Sequence, residues 1–281
     1  MRFGIKTAPQ DTTWQAMLDV WREADGIDVF ESAWNFDHFY PIFADPTGPC
    51  LEAWTMLAAM AQATTRIRIG CQVTGMIYRH PAVLANMAAT VDIVSNGRLI
   101  IGLGAGWNQE ECDAYGIHLP PLKERFDRFD EGTEALVRLL SDTVTTFDGR
   151  YVQLRDARCE PKPVQRPHPP IAIGGNGEKR TLRTVARFAQ HWNAIASDTA
   201  TWQAKRDVLL RHCADLGRNP AEIETSVNIR YDASMSPSAV ADAAARWAEA
   251  GVDVAIVYLA PPHDPSVLAP IADALRAAGL A

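Results

Sequence analysis

The chain has 281 residues, 47% of them hydrophobic and 22% charged, which is an ordinary globular composition long enough for one large domain. Its formal charge of −7 argues against a nucleic-acid binder, and no apolar run approaches the ~18 residues of a membrane helix. No basic stretch leads into an apolar one at the N-terminus, and the five scattered cysteines contain no C-x-x-C pair, so a cytoplasmic protein with free thiols, no zinc site and no membrane or nucleic-acid partner is expected.

The elements alternate strand and helix. Phe3 to Thr7 reads as strand 1; Trp14, Met17, Leu18 and Trp21 then fall on one helical face, with Thr12 or Thr13 as cap. Val29 to Trp34 is strand 2, followed by a helix over Leu51 to Ala63. Ile67 to Val73 is strand 3, and its helix opens at Pro81, where a first turn tolerates proline. Asn96-Gly97 closes that helix before strand 4, Leu99 to Leu103, apolar on both faces as a buried parallel strand is. The rhythm breaks over 107–121, and a helix carrying Phe126, Phe129, Leu136 and Leu140 follows. Asp148-Gly149 marks a hairpin between Val144–Phe147 and Tyr151–Leu154, and a proline-rich run closes the irregular stretch 143–170. Four more strand–helix units complete the chain, with strands Ile171 to Gly174, His191 to Ala196, Thr225 to Tyr231 and Val252 to Leu259. Eight alternating units predict one α/β domain over 1–281, a (β/α)₈ (TIM) barrel. The roughly 30 residues beyond a plain barrel of about 250 form an insertion region after strand 4.

Barrel enzymes work at the C-terminal ends of their strands, which turns those ends into a short roster. Asp37-His38 after strand 2 is the acid/base candidate, because histidine titrates near neutrality and a carboxylate beside it can tune it; the competing reading is a loop pair capping the next helix. Gly174-Gly175-Asn176-Gly177 precedes a helix expected from about Glu178, and bare N–H groups there suit an anion, with Lys179, Arg180 and Arg183 close by; the alternative is a plain turn. Gly102, Gly104 and Gly106 lack the dinucleotide-binding spacing, since Trp107 stands where the third glycine belongs. Trp34 and Trp107 can each stack on a planar ring or simply pack, and His80 before Pro81 reads as helix-start structure. No motif supports a catalytic metal.

Together, Ser32 to His38, Ile67 to Gly70, Val73-Thr74, Arg79-His80-Pro81-Ala82, Ser95-Asn-Gly-Arg98, Gly102 to Trp107, Glu124-Arg-Phe126 and Ile173-Gly-Gly175 resemble the luciferase-like flavin and deazaflavin oxidoreductases, most closely the coenzyme F420 branch. The resemblance covers nearly the whole chain. It implies a flavin-type ring at the barrel mouth, backed by a non-proline cis peptide at Gln72-Val73. Asp37 and His38 match residues that contact the ring. Gln72, Val73, Thr74, Gly106 and Trp107 fall in the matching strand-3 and strand-4 ends, and Gly174, Gly175 and Asn176 match the phosphate segment. It further implies hydride transfer between F420 and a small organic substrate, with His38 and Asp37 catalytic, and a homodimer through the helices beside strands 2 and 3. A reduced-FMN monooxygenase and a non-catalytic flavin-binding barrel are the alternatives. Sugar-phosphate dehydrogenases of the branch carry a catalytic glutamate where this chain has Trp107; Glu110 and Glu111 lie close by but out of register.

Overall fold

A computed structural model describes residues 1–281. Its strands are β1 (Arg2–Thr7), β2 (Phe30–Asn35), β3 (Arg68–Cys71) with its short continuation β4 (Thr74–Gly75), β5 (Leu99–Gly104), β8 (Ile171–Gly174), β9 (His191–Ala194), β10 (Glu224–Tyr231) and β11 (Val254–Leu259). All pair in parallel, in the order β3-β2-β1-β11-β10-β9-β8-β5, and the β3–β5 pairing closes the ring. The eight-stranded barrel expected from the alternation is therefore present.

Helices α1 (Trp14–Gly26), α2 (Ala53–Ala63), α3 (Pro81–Val94), α6 (Thr181–Phe188), α7 (Thr199–Leu216), α8 (Pro237–Glu249) and α9 (Leu268–Ala277) lie outside the strands that precede them. The unit after β5 is enlarged: α4 (Gln109–Ala114) and α5 (Leu122–Ser141) are followed by the antiparallel hairpin of β6 (Thr145–Asp148) and β7 (Gln153–Ala157). The insertion is thus more ordered than its sequence promised, since 107–121 contains a helix capped by Asn108, whose side chain accepts from the Glu111 N–H.

Two boundaries moved for identifiable reasons. Helix α2 starts at Ala53, because the Glu52 side chain accepts from the N–H groups of Trp54 and Thr55 and acts as its cap. Helix α6 starts at Thr181 rather than near Glu178: Gly174 to Gly177 loops out, Gly175 has φ +117°, and the Leu182 N–H reaches back to the Gly177 carbonyl. His80, read as helix-start structure, is the cap of α3, its Nδ1 accepting from the Ala82 N–H.

The barrel interior is filled from β2. Trp34 is fully buried among Ile100, Ala172, Val254 and Ile256, so it belongs to the core rather than to the mouth, where a stacking role had been open. Its indole N–H donates to Ser32 Oγ at 3.0 Å. A Cβ on Gly70 would lie 2.6 Å from the Trp34 ring, and one on Gly4 2.4 Å from Ser32 Oγ. Glycine at these two positions is what lets an indole fit inside an eight-stranded ring. His191 meets Trp34 edge-on, with centroids 5.7 Å apart, and its Nε2 shares a 2.6 Å hydrogen bond with Ser226 Oγ.

We expect Trp34→Ala to lower unfolding stability by about 3–5 kcal/mol, the usual result of emptying a large aromatic site. Urea denaturation checks it; a change near zero would mean the interior collapses without cost. Burial, reinforced by Arg2 and Arg68, pushes the His191 imidazole down from 6.5 to about 4. The unfolded chain therefore binds more protons between those pH values, and stability falls as pH drops through that window. His191→Asn should flatten this slope in denaturation curves taken at a series of pH values, whereas an unchanged slope would clear His191 of the effect.

Candidate active site

Besides a polar hollow of about 610 Å³ around Arg2, Glu224 and Asp253, at the end of the barrel where β1, β10 and β11 begin, two cavities of similar volume are present. One, of about 630 Å³, is an apolar groove between α2 and α3 on the outside of the barrel, around Trp54, Ala58 and Met87, with no titratable side chain in its lining. The other, of about 600 Å³, opens at the C-terminal ends of the strands and is lined by groups that can do chemistry, among them Lys6, Asp37, His38 and Tyr78. The second is the candidate site.

Its shape comes from the interruption between β3 and β4. The Gln72-Val73 peptide is cis, as the resemblance implied. The Gln72 N–H is held by the Asn35 carbonyl of β2, and Val73 lies across the barrel mouth. A Cβ on Gly104 would come 2.6 Å from Val73 Cγ2, and one on Gly174 3.0 Å from Val73 Cγ1. The glycines of β5 and β8 thus form the slot that accepts Val73. Gly106, at φ +84°, turns the chain out of β5 over Ile77 and leads to Trp107.

His38 is buried beside this slot and lines the cavity. Its Nδ1 lies 2.8 Å from Glu111 Oε2. Glu111 is wholly enclosed, and its carboxylate also accepts from Tyr78 Oη at 2.6 Å and from the Phe39 N–H at 2.6 Å. Burial raises the Glu111 pKa, but these donors together outweigh it and hold the carboxyl below its ordinary value. An ionised Glu111 accepts only, so it fixes the proton of neutral His38 on Nδ1 and leaves Nε2 to the cavity. Tyr78 is pushed well up by burial and by the carboxylate it serves, so it stays a neutral donor.

Asp37 takes a different place from the one expected. Rather than tuning its neighbour, it accepts a bidentate pair from Arg79, with Nη1 to Oδ2 at 2.5 Å and Nη2 to Oδ1 at 3.0 Å, and Arg79 also reaches Glu52. Burial nonetheless holds Asp37 above the usual carboxylate range, against the Arg79 contribution. The acid that touches His38 Nδ1 is Glu111, 73 residues away in sequence.

Of the expected cofactor contacts, Asp37, Gln72, Val73, Gly106, Trp107, Gly174 and Gly175 line the cavity. Thr74 and Asn176 do not; for Thr74 the expectation needs correcting. Thr74 is turned outward, its Oγ1 accepting from the Trp54 indole of α2 at 3.0 Å. The Asn176 side chain clamps the Ile195 backbone, donating to its carbonyl and accepting from its N–H. Of the basic residues by the glycine loop, Arg180 is committed to Asp127 and Asp130, while Lys179 and Arg183 stay exposed. Trp107 lies over the mouth, 51% exposed, edge-on to His38 and stacked on Phe43 at 5.6 Å and 7°. Phe43 and Ile195 complete an apolar rim, 92% and 72% exposed.

Sequence reasoning missed Glu111 and Lys6. For Glu111 the usable signal was its place three residues past the Asn108 cap, in the first turn of a helix leaving β5. For Lys6 it was a cation two residues past Gly4, on the same face of a strand and near its C-terminal end. No cluster of His, Cys, Asp or Glu suits a metal ion, and no helix is long and apolar enough to cross a membrane.

With this geometry in view, the relatives are informative. The F420-dependent glucose-6-phosphate dehydrogenase of Kineococcus radiotolerans is 27% identical over 283 residues, covering 98% of this chain and 80% of the relative. An uncharacterized protein of Mycobacterium tuberculosis is 31% identical over 202 residues, covering 72% of this chain and 67% of its own. Among solved structures, an F420-dependent secondary alcohol dehydrogenase in complex with an F420-acetone adduct superposes with a TM-score of 0.88 at 20% identity, covering 99% of this chain and 98% of the other. The family model of the luciferase-like monooxygenases matches residues 1–279, and the chain belongs to that family.

Proposed function

We propose that this barrel is an F420-dependent oxidoreductase that interconverts a small neutral carbonyl compound and its alcohol. The observation that carries the reading is the Tyr78–Glu111–His38 chain, which ends on an imidazole nitrogen open to a cavity of cofactor size. Carbonyl–alcohol chemistry moves a proton to or from oxygen together with a hydride to or from carbon, and a histidine held in one tautomer supplies that proton site. The alcohol dehydrogenase and glucose-6-phosphate dehydrogenase relatives named as F420-dependent lend support.

The cavity fits a planar ring. Its wall at Gly104 and Gly174 carries no side chain beyond Val73, and Gln72 Nε2 is buried there without a partner. Gln72, Val73 and Gly106 would hold the ring, Asp37 would present its carboxylate to it, and Gly174 and Gly175 would lead toward the phosphate. The exposed Lys179 and Arg183 suit an anionic tail. A bound deazaflavin supplies the two-electron hydride donor or acceptor. On oxidation neutral His38 takes the substrate hydroxyl proton at Nε2; the imidazolium so formed, stabilised by Glu111, gives that proton back to the substrate oxygen on reduction. Trp107, Phe43 and Ile195 exclude water from the mouth. Lys6 is the single cation in the cavity lining and lies at its floor, so a phosphorylated sugar finds no cationic clamp at the rim.

His38→Ala should cut kcat by about 10²–10⁴ while the cofactor Kd barely moves. Glu111→Gln should lower kcat by about 10- to 150-fold, the worth of one charge-assisted hydrogen bond, with KM little changed. That split marks a positioning residue. Normal turnover in both variants would end the assignment of His38. Rapid oxygen uptake with reduced FMN, without F420 turnover, would move the chain to the oxygen-using members of the family.

A further inference from the structure

Strand β1 points Lys6 inward at its C-terminal end, above Gly4. Its Nζ donates to the Gln72 carbonyl at 2.9 Å, lies 3.3 Å from Gln72 Oε1, and sits 5.1 Å from the centre of the Tyr258 ring. An ammonium has three donors, and Gln72 occupies at most two of them. No acidic side chain pairs with Lys6; Asp37, the acid in the same lining, is engaged by Arg79. Enclosure pushes the ammonium from 10.5 down to about 8, so it stays charged at neutral pH with nothing to neutralise it. Two other polar atoms in this cavity's lining are buried without partners: Gln72 Nε2, a donor, and Asn228 Oδ1, an acceptor.

A fold gains nothing from such an arrangement. An unpaired buried cation destabilises, and an apolar side chain of similar length would pack at lower cost. The cavity is also two-ended, with an aromatic and aliphatic rim and a floor carrying a free ammonium N–H, a free amide N–H and a free amide oxygen. A ligand that enters polar end first and offers a delocalised negative edge matches it.

We propose that Lys6 and Gln72 Nε2 form a receptor at the cavity floor for a delocalised oxyanion edge. Resting on the cofactor reading above, its occupant is the N–C=O edge of the reduced ring, where negative charge collects; the same chemistry is offered by a substrate carboxylate. Lys6 then favours the reduced cofactor over the oxidised one by charge rather than by shape, and the bulge carbonyl at Gln72 aims it.

Lys6→Met tests this through binding, without turnover. Oxidised and reduced F420 are titrated anaerobically into wild type and variant by tryptophan quenching, urea unfolding is run on both, and benzoate is titrated alone as a carboxylate probe. The expected variant is at least as stable as wild type, binds the oxidised ring nearly normally and binds the reduced ring about 10- to 100-fold more weakly. Selective loss of benzoate binding instead assigns the receptor to a carboxylate substrate. If wild type binds neither ring form, the oxidoreductase reading falls and the benzoate comparison alone decides the receptor. Wild-type affinity for both reduced ring and benzoate in the variant overturns the proposal. So does a loss of stability with equal weakening of both ring forms, which would make Lys6 a prop for the bulge.

Discussion

Steric room inside the barrel governs the rest of this structure. Eight parallel strands leave an interior just wide enough for side chains, and here one indole occupies much of it. Trp34 fits because Gly4 and Gly70 face it without a Cβ. One layer higher the same device is repeated. Gly104 and Gly174 give up their side chains to Val73, which the break between β3 and β4 swings across the mouth. The lower layer makes the barrel a solid plug, and the upper layer leaves a flat-walled hollow on top of it. The site is thus a consequence of where glycines fall along strands, before any acid or base is considered.

The chemistry is added by elements that the barrel brings together from far apart. His38 comes from the end of β2, Tyr78 from the segment after β4, and Glu111 from the first turn of α4. A carboxylate with three donors and no exposure is rigid, and rigidity is what fixes a histidine tautomer. The neighbouring Asp37–Arg79–Glu52 network is separate. It ties the end of β2 to the residue ahead of the α3 cap and to the cap of α2, so it braces the wall that carries His38. The insertion after β5 supplies both Glu111 and Trp107, which makes it part of the site rather than an ornament on the barrel.

Most of the fold was legible in the sequence because parallel strands buried on both faces read as short apolar runs, and amphipathic helices follow each of them. Asp37-His38 could be placed because strand ends are where barrel chemistry gathers, whereas the Gln72-Val73 bulge followed only from the family resemblance. The losses share one cause, which is that a side chain's direction is set by tertiary contacts. Thr74 looks like a mouth residue until the Trp54 indole claims its hydroxyl from outside. The Asn176 amide is spent on the Ile195 backbone, which leaves only main-chain N–H groups of the glycine loop to meet an anion. Glu111 is out of register with the family's glutamate along the chain, whereas a helical turn after Asn108 carries it back to His38. Lys6 carries no motif at all, and its meaning depends on the absence of an acid that only three-dimensional packing can reveal.

The central claim is that this cavity receives a deazaflavin and runs hydride chemistry beside His38. The most direct measurement is a titration of the purified protein with F420 and, separately, with FMN, followed by quenching of tryptophan fluorescence with Trp107 at the mouth as reporter. The account expects micromolar binding of F420 and much weaker binding of FMN. A preference for FMN, or binding of neither, would contradict it.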